Sequence, residues 1–243
     1  MRIDVASLRD RFEMAQRGKR SRHSVADRLD PSIFQYDYLT LSRLSADVRS
    51  LIAEVPGQAA DAVALDLGSD KSPYQTPLVE LGYVVKTLDL SAAAGADYVG
   101  TAEHTALPDA SFDLVLCTQV LEHCENPWQA VGEIRRILRP GGHVIFSVPH
   151  VWFYHPHPAD YWRFTQEGVV RLCEHGAFTP ISLRAQGGTV LAGGQVANFL
   201  LYGVLGRFGA PMYAAVNVVA AACDRLLPNP LFCINFACLA RLR

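Results

Sequence analysis

The sequence predicts an α/β fold in which helices cover both faces of a doubly wound, mostly parallel sheet. Short apolar runs that end in turns alternate with segments of helical spacing, an order typical of parallel strands joined by helices. The runs are rich in apolar residues on both faces, as expected for strands buried on both faces. A length of 243 residues suits one such domain with extensions and is short for two.

Six apolar runs mark the strands of this sheet. They cover residues 62–68, 83–89, 112–118, 143–148, 178–183 and 231–239. Each has the length and the composition of a strand in the interior of a parallel sheet, although the fifth is only an extended pattern that resumes after a helix. The sixth run follows a long apolar segment and is expected to be the final strand.

Three segments have the spacing of amphipathic helices. In residues 36–55 apolar side chains recur at intervals of three and four, and Pro56 ends the pattern. Asn126 can cap a second helix, and Pro127 can open it. The apolar face of that helix is expected to carry Trp128, Val131, Ile134, Ile137 and Leu138. A third helix is expected over about residues 165–175.

Composition limits the class of protein. Hydrophobic residues make up 50% of the chain and charged residues 19%, so most of the chain should fold. The formal net charge of −2 gives no overall attraction to nucleic acid, and we expect no nucleic-acid partner. The six cysteines contain no CxxC pair, which argues against a zinc knuckle and against a disulfide framework. A reducing cytoplasm is the simplest location.

The amino-terminal segment is charged rather than apolar. Residues 1–30 lack the apolar core of a signal peptide, so secretion is not expected. A basic cluster occurs at Arg17, Lys19, Arg20, Arg22 and His23. This cluster either contacts phosphates or anionic lipid or, as we favour, belongs to a solvated flexible arm. We assign residues 1–58 to the arm and a cap helix, and residues 59–243 to the main domain.

The last quarter of the chain is unusually apolar. Between residues 185 and 240 the only charged side chains are Arg207, Asp224 and Arg225. Glycines and polar residues interrupt the segment, which makes it a poor transmembrane helix. We expect one or two helices over about 187–228, inserted before the final strand. They would cover the active site, form a homodimer face, or make peripheral contact with the inner face of a membrane.

Carboxylates at two strand ends predict the kind of cofactor. The first strand ends in Asp66, followed by Gly68 and Asp70, and the second strand ends in Asp89. In doubly wound folds, ligands bind outside the carboxyl ends of the strands, where a glycine turn lets them approach the backbone. An acid at the end of the second strand fits the paired hydroxyls of a ribose. The sequence therefore indicates an adenosine-bearing cofactor.

The charge of this loop selects among such cofactors. The dinucleotide fingerprint GxGxxG places backbone amides around a pyrophosphate, and only Gly68 of its glycines is present. Asp66 and Asp70 would also repel a diphosphate at short range. S-Adenosylmethionine carries a sulfonium and an ammonium group, for which carboxylates are favourable partners. A nicotinamide-dependent oxidoreductase is therefore disfavoured.

Five motifs in order resemble the class I S-adenosylmethionine-dependent methyltransferases of type 11. They are residues 65–68 (LDLG), Asp89, residues 106–113 (ALPDASFD), residues 120–123 (VLEH) and residues 138–142 (LRPGG). The resemblance covers roughly residues 60–184. It implies a Rossmann-like methyltransferase fold with a seven-stranded sheet whose last strand runs antiparallel, and S-adenosylmethionine as the cofactor.

The resemblance also implies which residues bind that cofactor. The methionine end would contact the loop after the first strand, which consists of Asp66, Leu67, Gly68, Ser69 and Asp70. The remaining contacts would be Asp89 with the ribose hydroxyls, Leu90 with adenine, Glu103 and His104 with the adenine edge, and Thr118 and Gln119 at the opening after the fourth strand. Two positions depart from the family pattern. Residues 69–71 replace the further glycines that usually follow Gly68, and Glu103 is one methylene longer than the usual aspartate.

Four histidines are candidates for catalysis. They are His123 after the fourth strand, and His150, His155 and His157 after the fifth. Methyl transfer from a sulfonium is an in-line displacement, so a general base is needed only when the acceptor is protonated, as a hydroxyl is. Histidine suits that role at neutral pH. The alternative is that the proline-containing loop around His155 and His157 is merely rigid.

The residues after the fourth strand resemble part of a known metal-binding motif. Gln119, Glu122 and His123 resemble an acid-acid-histidine cluster that binds a divalent cation in some quinone O-methyltransferases. Gln119 stands in place of the first acid, and loss of that carboxylate weakens a site for a hard cation. We therefore predict no metal, with Glu122 and His123 hydrogen-bonded within the fold.

The predicted reaction is methyl transfer to a hydroxyl of a sugar, a glycolipid or a small metabolite. Residues 71–74 (KSPY) and 160–165 (DYWRFT) are similar to a subgroup often associated with bacterial glycan and glycolipid assembly. The alternative is a cofactor-binding subunit that is non-catalytic or needs a partner for activity. An N- or C-methyltransferase is a further alternative.

Overall fold

The computed structural model describes residues 24–56, 61–92, 95–156 and 158–243. The basic cluster at residues 17–23 lies outside the described residues, and so does His157. The predictions for both therefore stay predictions.

Within the described ranges, seven strands form one mixed sheet. Their bounds are β1 Val63–Leu67, β2 Val84–Asp89, β3 Tyr98–Val99, β4 Phe112–Thr118, β5 Leu138–Pro149, β6 Phe178–Gln186 and β7 Asn235–Leu242. The order across the sheet is β3-β2-β1-β4-β5-β7-β6. Strands β1 to β5 pair parallel, whereas β7 pairs antiparallel with both β5 and β6. The predicted seven-stranded doubly wound sheet with an antiparallel last strand is confirmed.

Three details of the sheet differ from the sequence prediction. Strand β5 begins at Leu138 rather than at His143, and its pairing with β4 shifts register between Phe112 and Leu114. Residues 138–142, the last of the five motifs, therefore form an irregular start of this strand. Strand β7 begins at Asn235 rather than at residue 231, because the apolar residues 231–232 are exposed and lie outside the ladder. The two-residue strand β3 was missed because it is too short to leave a pattern.

Seven helices accompany the strands in the described part of the chain. Their bounds are α1 Val25–Leu29, α2 Tyr38–Glu54, α3 Gln75–Glu80, α4 Pro127–Ile137, α5 Gln166–His175, α6 Thr189–Leu205 and α7 Ala210–Leu226. The predicted caps form, since the Asn126 side chain accepts a hydrogen bond from the Gln129 amide and the Thr165 side chain accepts one from the Gly168 amide. Trp128 does not face the core as predicted, because it is partly exposed and packs edge-on against Trp162.

Two apolar cores lie on opposite faces of the sheet. One packs α4 and α5 against side chains such as Val115 and Phe146, and the other packs α2 and α3 against side chains such as Leu116 and Ile145. Neighbouring residues of one strand thus face opposite cores. This arrangement explains why the central strands are apolar on both of their faces.

Helices α6 and α7, with the turn Gly206–Gly209 between them, pack against each other and against α2. We call these two helices and their turn the apolar hairpin. By length and composition the stretch Thr189–Leu226 could cross a membrane, although the turn divides it into two helices of 17 residues each.

The apolar hairpin buries polar side chains and exposes several large apolar ones. Asn198 and Asn217 are fully buried, and the Asn198 amide donates to the Asn217 side-chain oxygen at 2.7 Å. The Asn217 amide in turn donates to the carbonyl oxygens of Ile33 (2.7 Å) and Gln35 (3.0 Å). The outer side carries exposed apolar side chains, namely Leu200, Val204, Phe208, Met212, Val218, Val219 and Leu226.

Candidate active site at the carboxyl edge of the sheet

The parallel pairing brings the ends of β1, β2, β4 and β5 to one edge of the sheet. Asp66 is level with Thr87 of β2 and with Leu116 of β4, and Thr118 is level with Ser147 of β5. The side chains that follow these strands therefore share one crevice edge, where doubly wound folds bind their ligands.

The turn after β1 depends on glycine for two separate reasons. Gly68 has φ +74°, a left-handed conformation that other residues rarely adopt. A Cβ atom at this position would lie 2.4 Å from Cγ2 of Val120, far inside van der Waals contact. The turn therefore packs directly against the segment that follows β4, and this packing joins two of the predicted motifs.

The backbone amides of this turn are already engaged. The amides of Gly68 and Ser69 donate to the Leu88 carbonyl oxygen at 2.8 and 3.1 Å. The next amide, that of Asp70, donates to Oδ2 of Asp89 at 2.9 Å. A phosphate-binding loop needs such amides to point at the ligand. Three consecutive amides are therefore committed to β2, which disfavours a pyrophosphate here independently of charge.

Asp66 is a buried carboxylate at the base of the crevice. Only 2% of its surface is exposed, and the Ser72 hydroxyl donates to its Oδ2 at 2.7 Å. Burial raises the pKa of Asp66 to about 7, with a smaller contribution in the same direction from nearby Asp89, while the Ser72 hydrogen bond and the Arg28 cation oppose the rise. A positively charged ligand at this edge would favour the ionised form.

Asp70 contacts the amino-terminal helix rather than the crevice. Its Oδ2 lies 2.9 Å from an Arg28 nitrogen, and both side chains are partly exposed. This ion pair holds α1 against the loop after β1. The predicted role of Asp70 at the methionine end is untested, and the structure gives it a second role that sequence patterns did not indicate.

The predicted adenine-side residues occupy separate positions. Leu90 is 54% exposed although it is apolar, as a residue that contacts a ligand face would be. The Glu103 carboxylate accepts a hydrogen bond from the Asn126 amide at 3.2 Å, which links it to the start of α4. His104 Nε2 lies 2.7 Å from the side-chain amide of Gln129.

The residues after β4 turn back toward β5. Gln119 has φ +55°, its backbone amide donates to the Ser147 carbonyl oxygen at 3.0 Å, and its side chain donates to the Ser147 hydroxyl at 3.2 Å. Thr118 is the last residue of β4 and is half-buried. Gln119 therefore anchors the turn to the neighbouring strand.

The structure brings two of the candidate histidines together and separates a third. The rings of His123 and His155 meet edge-on with centroids 4.9 Å apart. His150 lies against Phe236, and its Nδ1 is 2.8 Å from the Phe164 carbonyl oxygen. Burial lowers the pKa of His155 to about 4 against the opposing effect of Asp160, so this imidazole is uncharged at neutral pH.

Sequence reasoning did not include Glu122 among the catalytic or cofactor residues. Its side chain is fully buried beside the two histidines, and neither carboxylate oxygen has a hydrogen-bond partner among the described residues. Burial raises the pKa of Glu122 to about 8. The predicted hydrogen bonding of Glu122 through its carboxylate is therefore not found. The adjacent acid and histidine in residues 120–123 are the only sequence signal that pointed to it.

The loop after β5 is held firmly over this group. Arg163 pairs with Asp160 at 2.6 Å and donates to the Phe153 carbonyl oxygen at 2.7 Å. The amide of Tyr161 donates to the Glu122 carbonyl oxygen at 2.8 Å. The Phe153 ring stacks on Phe199 of the apolar hairpin with centroids 3.6 Å apart. The aromatic loop thus lies between the sheet edge and the hairpin.

Part of the chain is similar to known methyltransferases. Residues 65–146 match the family described as a methyltransferase domain. The ubiquinone biosynthesis O-methyltransferase of Photobacterium profundum is 35% identical to this chain over 92 residues, which are 37% of this chain and 35% of that protein. The chain thus spans about a third of the length of this curated relative. The family match over residues 65–146 includes the turn after β1 and Glu122.

Solved structures share the fold at low identity. A 1,6-didemethyltoxoflavin-N1-methyltransferase from Burkholderia thailandensis, solved with S-adenosylhomocysteine, has a TM-score of 0.54 and 17% identity, covering 98% of this chain and 88% of that one. The [4+2]-cyclase SpnF has a TM-score of 0.55 and 17% identity, covering 82% and 80%. The chain therefore has the Rossmann-like fold of these proteins, and this fold also occurs in a cyclase.

Proposed function

We propose that this protein transfers a methyl group from S-adenosylmethionine to a hydroxyl of a small, lipid-linked or glycan acceptor. The observation that carries the proposal is the carboxyl edge of the sheet. There Asp66 is buried, Asp89 ends β2, and the three amides after β1 are committed to β2. Such an edge favours a cationic nucleoside over a phosphorylated one. The methyltransferase domain match over residues 65–146 supports the same reading.

Asp66 and Asp89 have different parts in the proposed complex. Asp66 lies in the low-dielectric base of the crevice, where a nearby sulfonium or ammonium would offset the cost of its ionisation. The Asp89 carboxylate accepts the Asp70 amide through Oδ2 and the Ser91 amide through Oδ1. Each carboxylate oxygen has a second lone pair that can accept a ribose hydroxyl. These contacts fix the orientation of the side chain before the ligand binds.

For this reaction the protein must align the acceptor hydroxyl with the methyl donor and remove one proton from the hydroxyl. When bound, S-adenosylmethionine would supply an activated methyl carbon to the acceptor oxygen. His123 is the better placed proton acceptor of the paired histidines. Its partner His155 has a pKa of about 4 and is a weak base, and Glu122, with a pKa of about 8, is protonated at pH 7. The firmly held loop after β5 keeps these groups aligned and water out.

The exposed side chains of the apolar hairpin favour an acceptor that lies at a membrane surface. Its outer side exposes large apolar side chains, of which Val204 and Phe208 are 84% and 80% exposed, while its asparagines face inward. A lipid surface accommodates this polarity, and peripheral contact at the inner face of the membrane would bring a glycolipid or another lipid-linked acceptor to the edge of the sheet. A cytoplasmic location agrees with the six cysteines, all of which are free thiols.

Two measurements test the proposal. Titration calorimetry should give tight binding of S-adenosylmethionine and S-adenosylhomocysteine and no heat with NADH. Transfer of labelled methyl groups should be detectable with lipid-linked sugars or other hydroxyl acceptors presented in vesicles. Tight NADH binding would contradict the cofactor assignment, and turnover restricted to nitrogen or carbon acceptors would contradict the hydroxyl.

Vesicle binding tests the hairpin separately. The pair of substitutions Val204→Ser and Phe208→Ser should reduce co-sedimentation with anionic vesicles, whereas Val79→Ser, at an exposed valine of α3 outside the hairpin, should not. If both variants sediment like the wild type, the hairpin is not the membrane face. A wild-type homodimer that dissociates only in the hairpin variant would favour the homodimer instead.

The alternative function is a cofactor-binding subunit that is inactive alone. The [4+2]-cyclase among the structural relatives is a precedent for this fold in a protein named for other chemistry. Single-turnover transfer by the pure chain to any acceptor would eliminate this alternative.

A further inference from the structure

Three potential metal ligands meet beside the carboxyl edge of the sheet. Glu122 and His123 lie in the short 3-10 turn after β4, and His155 lies in the loop after β5. One ligand atom from each lies within 4.8 Å of the others. The sequence places Glu122 and His123 near Gln119 in one short segment. It does not indicate His155 as a further metal ligand, since 32 positions separate His155 from His123 (155 − 123).

Both imidazoles are oriented by hydrogen bonds at Nδ1. His123 donates from Nδ1 to the Ala159 carbonyl oxygen, and its Nε2 lies 3.9 Å from Oε1 of Glu122. His155 Nδ1 lies 3.0 Å from the Phe153 carbonyl oxygen and 3.2 Å from Oδ2 of Asp160. A proton on His155 Nδ1 leaves the lone pair of its Nε2 for other use. Histidines that bind metals are held in this way by carbonyl oxygens and carboxylates.

The third group is a buried carboxyl that the described residues leave unsatisfied. Both oxygens of Glu122 lack hydrogen-bond partners, although its side chain is fully buried. An uncompensated carboxyl in the interior costs several kcal/mol, roughly, and is retained mainly where it has a partner or a function. A bound cation would supply the missing partner.

We propose that Glu122, His123 and His155 bind one divalent transition-metal ion of the zinc type. Two neutral imidazoles and one carboxylate form the ligand set of open zinc sites, in which a fourth position is left for water or another oxygen ligand. Imidazole donors also favour zinc, iron or cobalt over magnesium and calcium, which prefer oxygen ligands. His155 thus takes the place left by the missing acid at Gln119, and the predicted absence of a metal is replaced by a softer site.

The geometry requires only a small closure. Ligand atoms of a tetrahedral zinc with bonds of about 2.0–2.1 Å lie roughly 3.3 Å apart. The present separation of up to 4.8 Å must therefore shrink by about 1.5 Å, a distance that modest side-chain rotations can cover. The Tyr161 and Trp162 amides hold the backbone of Glu122 at 2.8 and 3.3 Å, so the closure is expected in side chains.

Asp160 has a definite supporting part in this site. Its buried carboxylate contacts His155 Nδ1, accepts the His155 amide at 2.9 Å, and pairs with Arg163. These contacts fix the His155 tautomer and the direction of its Nε2. Loss of such a supporting partner typically weakens metal binding by about 10–100-fold, which is less than the loss of a ligand itself.

The test uses the full chain after treatment with a chelator and dialysis. Zinc is titrated by calorimetry, and cobalt is titrated by its visible absorption, whose intensity reports four-coordinate geometry. His155→Gln and Glu122→Gln remove one ligand each, Asp160→Asn weakens the support, and His175→Gln is the control because His175 is an exposed histidine on α5. Circular dichroism and thermal unfolding confirm that each variant is folded.

The expected result is one tight site in the wild type and in the His175 control. Each ligand variant should lose more than about a hundredfold in zinc affinity, and Asp160→Asn should lose about 10–100-fold. Absence of a stoichiometric site in the wild type would overturn the proposal, and so would unchanged affinity in folded His155→Gln. Neither measurement uses S-adenosylmethionine or an acceptor, so failure of the metal site and failure of the proposed methyl transfer are distinguishable. A metal bound to His123 would replace the proton-acceptor role proposed for that residue, but not the methyl transfer itself.

Discussion

Replacement of Asp66 by asparagine should stabilise the protein against alkali while weakening its cofactor binding. In the folded chain the pKa of Asp66 is about 7, compared with 3.8 as its ordinary value. The folded state therefore holds a proton that the unfolded state has released between these two values, and the free energy of unfolding falls as pH rises through this window. Below pH 3.8 the contribution is fully present, and above about pH 7 it is lost.

The magnitude follows from the shift. The pKa of Asp66 is higher in the folded chain by 7 − 3.8 = 3.2. This difference corresponds to about 4 kcal/mol of unfolding free energy over the whole pH range, and to about 2.5 kcal/mol between pH 5 and pH 8. Asparagine does not titrate, and its carbonyl oxygen can still accept the Ser72 hydroxyl. Urea unfolding of wild type and Asp66→Asn at both pH values isolates the contribution, because the other groups titrate in both proteins.

The wild type should therefore lose about 2.5 kcal/mol more stability than Asp66→Asn between pH 5 and pH 8. The exposed Asp109, changed to asparagine, is the control and should follow the wild type. In the same variants, calorimetry should show at least about a tenfold loss of S-adenosylmethionine affinity for Asp66→Asn only, since a charge-assisted contact is removed. Parallel pH profiles of wild type and Asp66→Asn would refute the reasoning.

The remaining predictions concern the same edge and the hairpin. Gly68→Ala should lower the free energy of unfolding by about 1–3 kcal/mol more than Gly82→Ala. Both positions have positive φ, but only Gly68→Ala places a Cβ against Val120. Urea unfolding measures both variants, and equal losses would contradict the packing argument. Adding Val120→Ala to Gly68→Ala should recover part of the difference. Asp89→Ala should weaken S-adenosylmethionine binding by more than about tenfold by calorimetry, and unchanged affinity would remove the ribose assignment. Asn217→Ala should lower the free energy of unfolding by about 1–3 kcal/mol, because the carbonyl oxygens of residues 33 and 35 lose a buried donor; a neutral result would mean that the hairpin docks by apolar contacts alone.

The pattern of the chain was sufficient for most of the sheet. Strands β1, β2 and β4 were located to within a residue, because each contains a short run rich in apolar residues that a turn follows. The same criterion failed at residues 231–232, where apolar side chains are exposed beside the hairpin. An apolar residue is buried only where the folded chain forms a core around it. Residues 231–232 lie at the surface instead.

The candidate site was predictable where a motif and a strand end coincide. Asp66, Gly68 and Asp89 follow strands directly, so parallel pairing alone brings them to one edge. The Arg28 contact with Asp70 was not predictable, since it depends on how the amino-terminal helix folds back over the loop.

By itself, the sequence determined the alternation of strand and helix, the carboxylates at the sheet edge and the sign of the charge that a ligand meets there. Only the tertiary structure decided that His155 joins Glu122 and His123, and that the hairpin buries its asparagines while several large apolar side chains are exposed. Periodicity and strand ends are local properties of the chain and can be read along it. The meeting of a turn with a distant loop depends on the path of the loop, which many weak contacts set together.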